Sequence, residues 1–289
     1  MPNKRKIAIN QSRLFKVSSP ERLAKVLGTS LQDLRDLCAL DLRYREFDIP
    51  KAGGKLRHCE DPVPALKAVH GRIASALSQI EAPDFLFCPV KGRSYISNAA
   101  AHRHNRAVRC LDIKRFFPST PSRRVFWFFK TVMGLRGDAA GLLTDLATFK
   151  GRLPTGSPLS PILAYFAFHD MWAEIAAFCK SRDYVLTVYI DDVTVSGQKV
   201  PLSDLWYIKT IIRRYGLEYH KEKSFIDRPA EITGVILRDG AVSAPHRQHQ
   251  KRKAASEALR GGAIDIDVVG RQLKGLEGQL RQIARFKDA

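Results

Sequence analysis

The chain of 289 residues predicts an α+β fold with mainly antiparallel strands. Three observations predict it. Apolar spacing alternates between the helical and the two-residue period, in the order helix, β-hairpin, helix, strand, two helices, β-hairpin, helix, two strands, helix. Turn signals separate neighbouring strand-like runs near residues 50–54 and 190–191, as hairpins require. Hydrophobic residues make up 45% of the chain, enough for one large or two small cores, and no internal repeat or low-complexity segment is visible.

In chain order, residues 18–42 carry Leu23, Val26, Leu27, Leu31, Leu34 and Leu37 at helical spacing, started by Ser19-Pro20 and broken at Gly28-Thr29-Ser30. Residues 44–49, 50–54 and 55–59 read as strand, turn and strand, with basic residues near the tip. Residues 64–80 are helical (Leu66, Val69, Ile73, Leu77), 85–90 are short and apolar, and a Gly, Ser, Asn and His-rich stretch follows. Residues 108–113 form a strand with Asp112 near its end, and 116–120 close it before an aromatic helix (Phe126, Trp127, Phe129, Val132). Residues 142–149 are helical, 151–158 are a turn-rich loop, and 161–179 read as one long apolar helix with Pro161 in its first turn. Runs 184–188 and 193–197 make a second hairpin. Then come an amphipathic helix over 205–215 ended by Gly216, strands over 224–226 and 231–237, and basic helices from Pro245 with Gly261-Gly262 between them.

Lys plus Arg number 48 against 29 acidic residues, a net charge of +19, so a polyanionic partner is expected and nucleic acid leads. No run approaches the 18–20 apolar residues that a membrane span needs, and the basic residues do not collect on one amphipathic helix, which argues against a membrane partner. The basic N-terminus, Met1-Pro2-Asn3-Lys4-Arg5-Lys6, has no apolar leader behind it, so a cytoplasmic protein is expected. Cys38, Cys59, Cys88, Cys110 and Cys179 are isolated, without C-x-x-C spacing, and read as reduced structural residues.

Tyr189-Ile190-Asp191-Asp192 puts two adjacent carboxylates at a hairpin tip. Paired acids repel, and a multivalent cation is the usual neutraliser, although an acidic turn on a solvated hairpin reads the same way. Asp112 is either a strand-end cap or salt-bridge partner, or a third ligand. Three carboxylates suffice to hold two divalent cations roughly 3.5–4 Å apart, the arrangement used for in-line phosphoryl displacement, with Mg²⁺ the natural occupant of an all-oxygen site.

These residues carry a family resemblance. Leu111-Asp112-Ile113-Lys114-Arg115-Phe116-Phe117-Pro118-Ser119 resembles the first palm motif of reverse transcriptases. Leu153-Pro154-Thr155-Gly156-Ser157-Pro158-Leu159-Ser160-Pro161 resembles the motif that follows, Tyr189-Ile190-Asp191-Asp192 the catalytic hairpin, and residues 216–223 the next motif, in matching order and spacing. Asn98-Ala99-Ala100-Ala101-His102 is similar to the N-A-x-x-H element of bacterial retron reverse transcriptases, and Ile232-Thr233-Gly234 stands where they have V-T-G. A group II intron protein would continue into a maturase region beyond Ala289. The departures are Thr155 for the usual Gln, Ile232 for Val, and Ile190 where Ala is common; the first leaves nucleotide discrimination open.

The resemblance implies a right-hand polymerase fold with an antiparallel palm sheet: an N-terminal helical extension over 1–42, fingers over 43–107, palm over 108–240 with fingers elements around 134–180, and a basic helical thumb over 241–289. It implies that Asp112, Asp191 and Asp192, helped by the backbone carbonyl of Ile113, hold two Mg²⁺. Phe117 would be the gate under the sugar that excludes a 2′-hydroxyl, or else core packing beside Phe116. Lys51, replaceable by Lys55, and Arg57 would grip the triphosphate, Thr155 and Gly156 would line the incoming nucleotide, and Lys223 would be the acid for pyrophosphate release or a solvated lysine. Asn98 and His102 would contact the cognate RNA, or be a capping Asn and a surface His. Arg247, Lys251, Arg252 and Lys253 would track a duplex backbone.

The function so implied is RNA-directed DNA polymerisation of the retron type. The enzyme would copy a structured non-coding RNA into single-stranded DNA from dNTPs, with a branched RNA–DNA product, in anti-phage defence with a separate effector protein. The alternatives are another defence-associated or intron-like bacterial reverse transcriptase, and a catalytically inactive RNA-binding scaffold.

Overall fold

The computed structural model describes residues 6–50, 54, 56–261 and 265–286. In chain order the elements are α1 (Pro20–Leu27), α2 (Leu31–Ala39), β1 (Tyr44–Pro50), β2 (Leu56–Pro62), α3 (Pro64–Leu77), β3 (Leu86–Cys88), α4 (Tyr95–Ala100), β4 (Ala107–Ile113), α5 (Ser122–Trp127), α6 (Gly137–Ala147), α7 (Ser160–Ala167), α8 (His169–Ser181), β5 (Val185–Tyr189), β6 (Asp192–Gly197), α9 (Leu202–Arg214), β7 (Tyr219–Ile226), β8 (Ala230–Ile232), β9 (Val235–Arg238), β10 (Ala241–Ser243), α10 (His246–Arg260) and α11 (Ile266–Ala284). The α+β class is as expected. The break at residues 28–30 arises because Gly28 closes α1 at φ +66° and Ser30 opens α2 with a reciprocal capping box to Asp33.

The chain forms two compact units. The first comprises residues 1–84, 113–177 and 208–219, the second 85–112, 178–207 and 220–289. Trp172, Phe128, Phe129 and Phe168 are wholly buried in the first, with Phe128 stacked on Phe166 at 4.9 Å between centroids. The β1–β2 hairpin belongs to this unit, in register from Tyr44↔Pro62 to Pro50↔Leu56. His70, on α3, donates from Nε2 to the Leu146 carbonyl at 2.7 Å and its Nδ1 accepts from the Ser157 hydroxyl at 2.7 Å.

The second unit is built on a sheet of order β3-β5-β6-β4-β7, beside a small sheet β10-β9-β8. Leu111, Leu186, Val188, Val193 and Val195 are buried on one face of the large sheet. Over part of the other, Ile96, Ala99 and Val108 pack with Ala230, Ile232, Val235, Leu237 and Ile283 in a second apolar cluster.

Several expectations are corrected. The long helix over 161–179 is two helices bent by 67° at Phe168, whose φ of −118° and ψ of +29° leave helical geometry. The strand over 231–237 is the β8–β9 hairpin, turned at Thr233 and Gly234 with φ of +45° and +83°. In the large sheet β5–β6 and β6–β4 are antiparallel as expected, and β3 joins β5 in parallel. The Ser, Asn and His-rich stretch hides α4, which Ser94 caps by accepting from the Ser97 amide. No single described helix is long and apolar enough to cross a membrane.

Burial pushes the His70 imidazole down to about 4 from its ordinary 6.5. Between those values the unfolded chain takes up a proton that the folded one refuses, so the stability that neutral His70 contributes is intact above pH 6.5 and drains away as pH falls. We expect this to remove about 3 kcal/mol of stability from the first unit between pH 7 and 4. His70→Gln, which keeps a donor and an acceptor but cannot titrate, should flatten the pH profile of the thermal midpoint; an unchanged slope would place the acid sensitivity elsewhere.

Candidate active site

Cross-strand pairs in an antiparallel sheet share a face. Tyr189 pairs with Asp192 across the β5–β6 hairpin, and Asp192 pairs with Asp112 of β4, so both carboxylates leave the same face of the large sheet. Asp191 lies in the turn beside them, after Ile190 at φ +59°. The face opens into a cavity of about 310 Å³ whose lining includes Asp112, Tyr189, Asp192, Lys221, Lys223 and Glu231. Burial, and then the negative charges of Asp191 and Asp112, raise the Asp192 carboxyl from 3.8 to about 6. Lys221 Nζ lies 3.2 Å from one Asp112 oxygen and His220 Nδ1 lies 3.4 Å from the other.

Three mutually repelling carboxylates with an all-oxygen donor set fit hard divalent cations. Ile113 ends β4 with its side chain fully buried, so the only ligand it can offer is its backbone oxygen. The tightest cluster of ligating side chains among the described residues lies elsewhere, at Glu46, His58 and Glu60 on the β1–β2 hairpin, with ligand atoms within 4.8 Å of one another. That cluster is internally neutralised: Lys150 pairs with Glu46 at 2.7 Å, Arg152 with Glu60 at 2.8 Å, and His58 bridges Glu46 and Asp48 at 3.0 Å each.

Lys223 lines the same cavity as Asp112 and Asp192, with its Nζ 3.8 Å from Glu231. Lys221, nearer to Asp112, escaped sequence reasoning. Strand alternation was the available signal, since residues 221 and 223 of one strand share a face.

Asn98 and His102 are each 1% exposed, which corrects the expectation that they contact RNA. Asn98 Nδ2 donates to Thr233 Oγ1 at 3.3 Å, joining the two retron-like signatures inside the protein. The His102 ring nitrogens meet Ser196 Oγ at 2.6 Å and Thr187 Oγ1 at 2.8 Å. Arg247 is paired in the structure, both ends of its guanidinium donating to Glu231 at 2.7 and 2.6 Å. Lys251, Arg252 and Lys253 are exposed on α10, with Lys253 paired to Glu257 at 3.8 Å.

The remaining expected residues belong to the first unit. Lys51 and Lys55 lie outside the described residues. Arg57 is exposed on β2 opposite Ile49. Phe116 is the core ring, buried against Phe168 and Trp172, whereas Phe117 is only half-buried. The Thr155 hydroxyl is committed to β2, donating to the His58 carbonyl at 2.9 Å and accepting from the Glu60 amide at 3.2 Å. Gly156 follows at a close approach where a Cβ would lie 2.7 Å from the Glu60 carbonyl oxygen.

The family model for reverse transcriptase (RNA-dependent DNA polymerase) matches residues 49–237. The chain is 27% identical over 238 residues to the Retron Se72 reverse transcriptase of Salmonella heidelberg, covering 78% of this chain and 63% of that protein. It is 27% identical over 241 residues to the Retron Ec86 reverse transcriptase of Escherichia coli, covering 80% and 75%. With the Retron Mx162 reverse transcriptase of Myxococcus xanthus it shares 28% identity over 318 residues, covering 94% and 64%, so this chain spans under two thirds of the Se72 and Mx162 proteins. A solved foamy viral protease-reverse transcriptase in complex with ds DNA superposes with a TM-score of 0.45 at 16% identity over 73% of this chain and 32% of that one.

A carboxyl whose proton affinity is raised by folding stabilises the fold while protonated and loses that contribution as pH rises from 3.8 through about 6, so charged Asp192 is a net burden at pH 7. Asp192→Asn should therefore stabilise the metal-free protein at pH 7 by about 1 kcal/mol, roughly 2–4 °C in midpoint. Mg²⁺ should raise the midpoint of the wild type more than that of the variant, a comparison that differential scanning fluorimetry can make. A variant less stable than wild type without metal would remove the repulsion from the account.

Proposed function

Because the chain belongs to the reverse transcriptase (RNA-dependent DNA polymerase) family, we propose that it is an RNA-directed DNA polymerase of the retron type. The observation that carries this reading is the Asp112↔Asp192 pair on an open sheet face with Asp191 in the adjoining turn. In the right-hand fold of the family, residues 43–107 would act as fingers, 108–240 as palm with fingers elements around 134–180, and 241–289 as thumb, after an N-terminal extension over 1–42.

Asp112, Asp191 and Asp192, with the backbone oxygen of Ile113, would hold two Mg²⁺, which when bound lower the pKa of the primer hydroxyl and neutralise charge on the departing pyrophosphate. Arg57 and Lys51 would grip the triphosphate, Arg57 through its planar fork. Phe117, half-exposed where Phe116 fills the core, would press against the sugar and exclude a 2′-hydroxyl. Thr155 and Gly156 would shape the nucleotide side of the loop from a backbone already fastened to β2. Lys223 would hand a proton to pyrophosphate; Lys221, beside Asp112, is a competing donor. Lys251, Arg252 and Lys253 would follow the phosphates of an RNA–DNA duplex, a salt-sensitive contact.

The substrate would be a structured non-coding RNA, primed from its own 2′-hydroxyl and copied from dNTPs into a branched RNA–DNA product, in the cytoplasm. Anti-phage defence with a separate effector protein would be the setting. Sequencing of nucleic acid that copurifies with the protein tests this part, since a branched RNA–DNA molecule is expected and linear cDNA alone would favour a different bacterial reverse transcriptase.

On a primed RNA template with dNTPs and Mg²⁺, wild type should extend DNA, and Asp191→Asn with Asp192→Asn should abolish extension while leaving duplex binding in place. Extension by the double variant at the wild-type rate would refute the assignment of the acids. Phe117→Ala should lower discrimination against ribonucleotides by about tenfold or more, measured as the ratio of kcat/KM for dNTP and rNTP. An unchanged ratio would return Phe117 to a packing role.

A further inference from the structure

We infer that His102 is a positioning residue for the Asp191-Asp192 hairpin: a buried imidazole that ties the two strands of that hairpin together from the catalytic face of the sheet. The inference rests on the polymerase reading above.

Pairing of Tyr189 with Asp192, Thr187 with Thr194 and Val185 with Ser196 places Thr187 and Ser196 on the sheet face that displays Asp192. Thr187 is on β5 and Ser196 on β6. Each is almost fully buried, and each directs its hydroxyl at a different nitrogen of His102, at 2.8 and 2.6 Å. A neutral imidazole donates from one nitrogen and accepts at the other, so a single ring satisfies both hydroxyls at once. The ring holds no positive charge to offer a phosphate, because burial keeps it neutral, down to about 3 from 6.5.

The anchorage beneath the ring is equally specific. The segment after α4 is fastened to β6 a second time by Asn105, whose Nδ2 donates to Ser196 Oγ at 2.8 Å, and Gln198 Nε2 donates to the His104 carbonyl at 3.2 Å. Beyond it Arg106 grips Asp227 through both guanidinium ends at 2.7 and 3.0 Å. Four residues before His102, Asn98 reaches Thr233, whose hydroxyl in turn donates to the Tyr95 carbonyl at 2.9 Å. The segment bearing Asn98 and His102 thus belongs to the frame of the site. Shear between β5 and β6 moves Asp192 against Asp112, and a buried ring bonded to both strands resists that shear.

The test uses the full chain and the variants His102→Ala, His102→Gln, Thr187→Val and Ser196→Ala. The last three preserve volume closely, so the proposal stays testable where His102→Ala fails to fold. On a preformed RNA-template and DNA-primer duplex, we expect His102→Ala and Thr187→Val each to lower kcat about tenfold or more, with the dNTP KM and the duplex Kd within about twofold of wild type. His102→Gln should recover part of kcat. The double variant His102→Ala with Thr187→Val should be no worse than the poorer single one, because both remove the same tie. In the metal-free protein, His102→Ala should speed amide hydrogen exchange across residues 187–194. That readout separates the two ideas: a wild type that cannot extend DNA would refute the polymerase reading, while exchange still decides on the brace. Unchanged kcat and exchange in folded Thr187→Val and Ser196→Ala would overturn the brace. So would a weakened duplex Kd with intact kcat on bound duplex, the signature of a direct RNA contact.

Discussion

Antiparallel register places Asp112 opposite Asp192, and this like-charge contact constrains the rest of the second unit. The pairing is held from behind. Leu111, Val193, Val195, Leu186 and Val188 fill the opposite face of the sheet, and a slip of one residue would carry that whole set out of the core. Hydrophobic burial therefore fixes where the carboxylates point, although it also desolvates them, which is why burial heads the causes that hold the Asp192 proton. Lys221 brings positive charge to one Asp112 oxygen from β7, and His220 Nδ1 lies beside the other. A site of this kind is stable because its walls are, and its own electrostatics oppose it.

Each unit solves a similar joining problem with a neutral, buried histidine. His70 links α3 to the Leu146 carbonyl and to Ser157, and His102 links β5 to β6. Burial that suppresses the charge leaves an imidazole with one donor and one acceptor, a compact connector between groups that cannot bond each other directly. Thr155 works in the same spirit on the first unit's hairpin. A short hydroxyl there bonds β2 backbone on both sides, accepting from the Glu60 amide and donating to the His58 carbonyl.

Much of this was legible in the sequence because it rests on short-range rules. The caps at Ser19 and Ser30 and the hairpin at Asp191 follow from spacing and turn chemistry, whereas the meeting of Asp112 with that hairpin was implied by the family resemblance alone. What escaped depends on distant partners. Asn98 and His102 look like surface polar residues because the hydroxyls that bury them lie 85 to 135 positions away along the chain. Arg247 reads as a free basic residue until Glu231 is seen beside it. The bend at Phe168 was hidden because the residues on both sides are apolar and helix-compatible, and it is the surrounding aromatic packing against Phe116 that distinguishes them. Lys221 was overlooked for a different reason: the motif directs attention to Lys223, while the two-residue period places both on one face.

Ile190 shows why rigidity beneath the hairpin matters. A β-branched residue at φ +59° costs about 1–3 kcal/mol, and such a conformation persists only when the surroundings over-determine it. The strands flanking it are paired on both sides, β5 with β3 and β6 with β4, and His102 ties them across the face. Electrostatic repulsion at Asp192 and backbone strain at Ile190 therefore load the same few residues, and the same frame bears both. Cations that neutralised the carboxylates would remove the first load and leave the second. The turn that presents Asp191 is held by the strand pairings on either side of it, so its backbone stays where the sheet puts it.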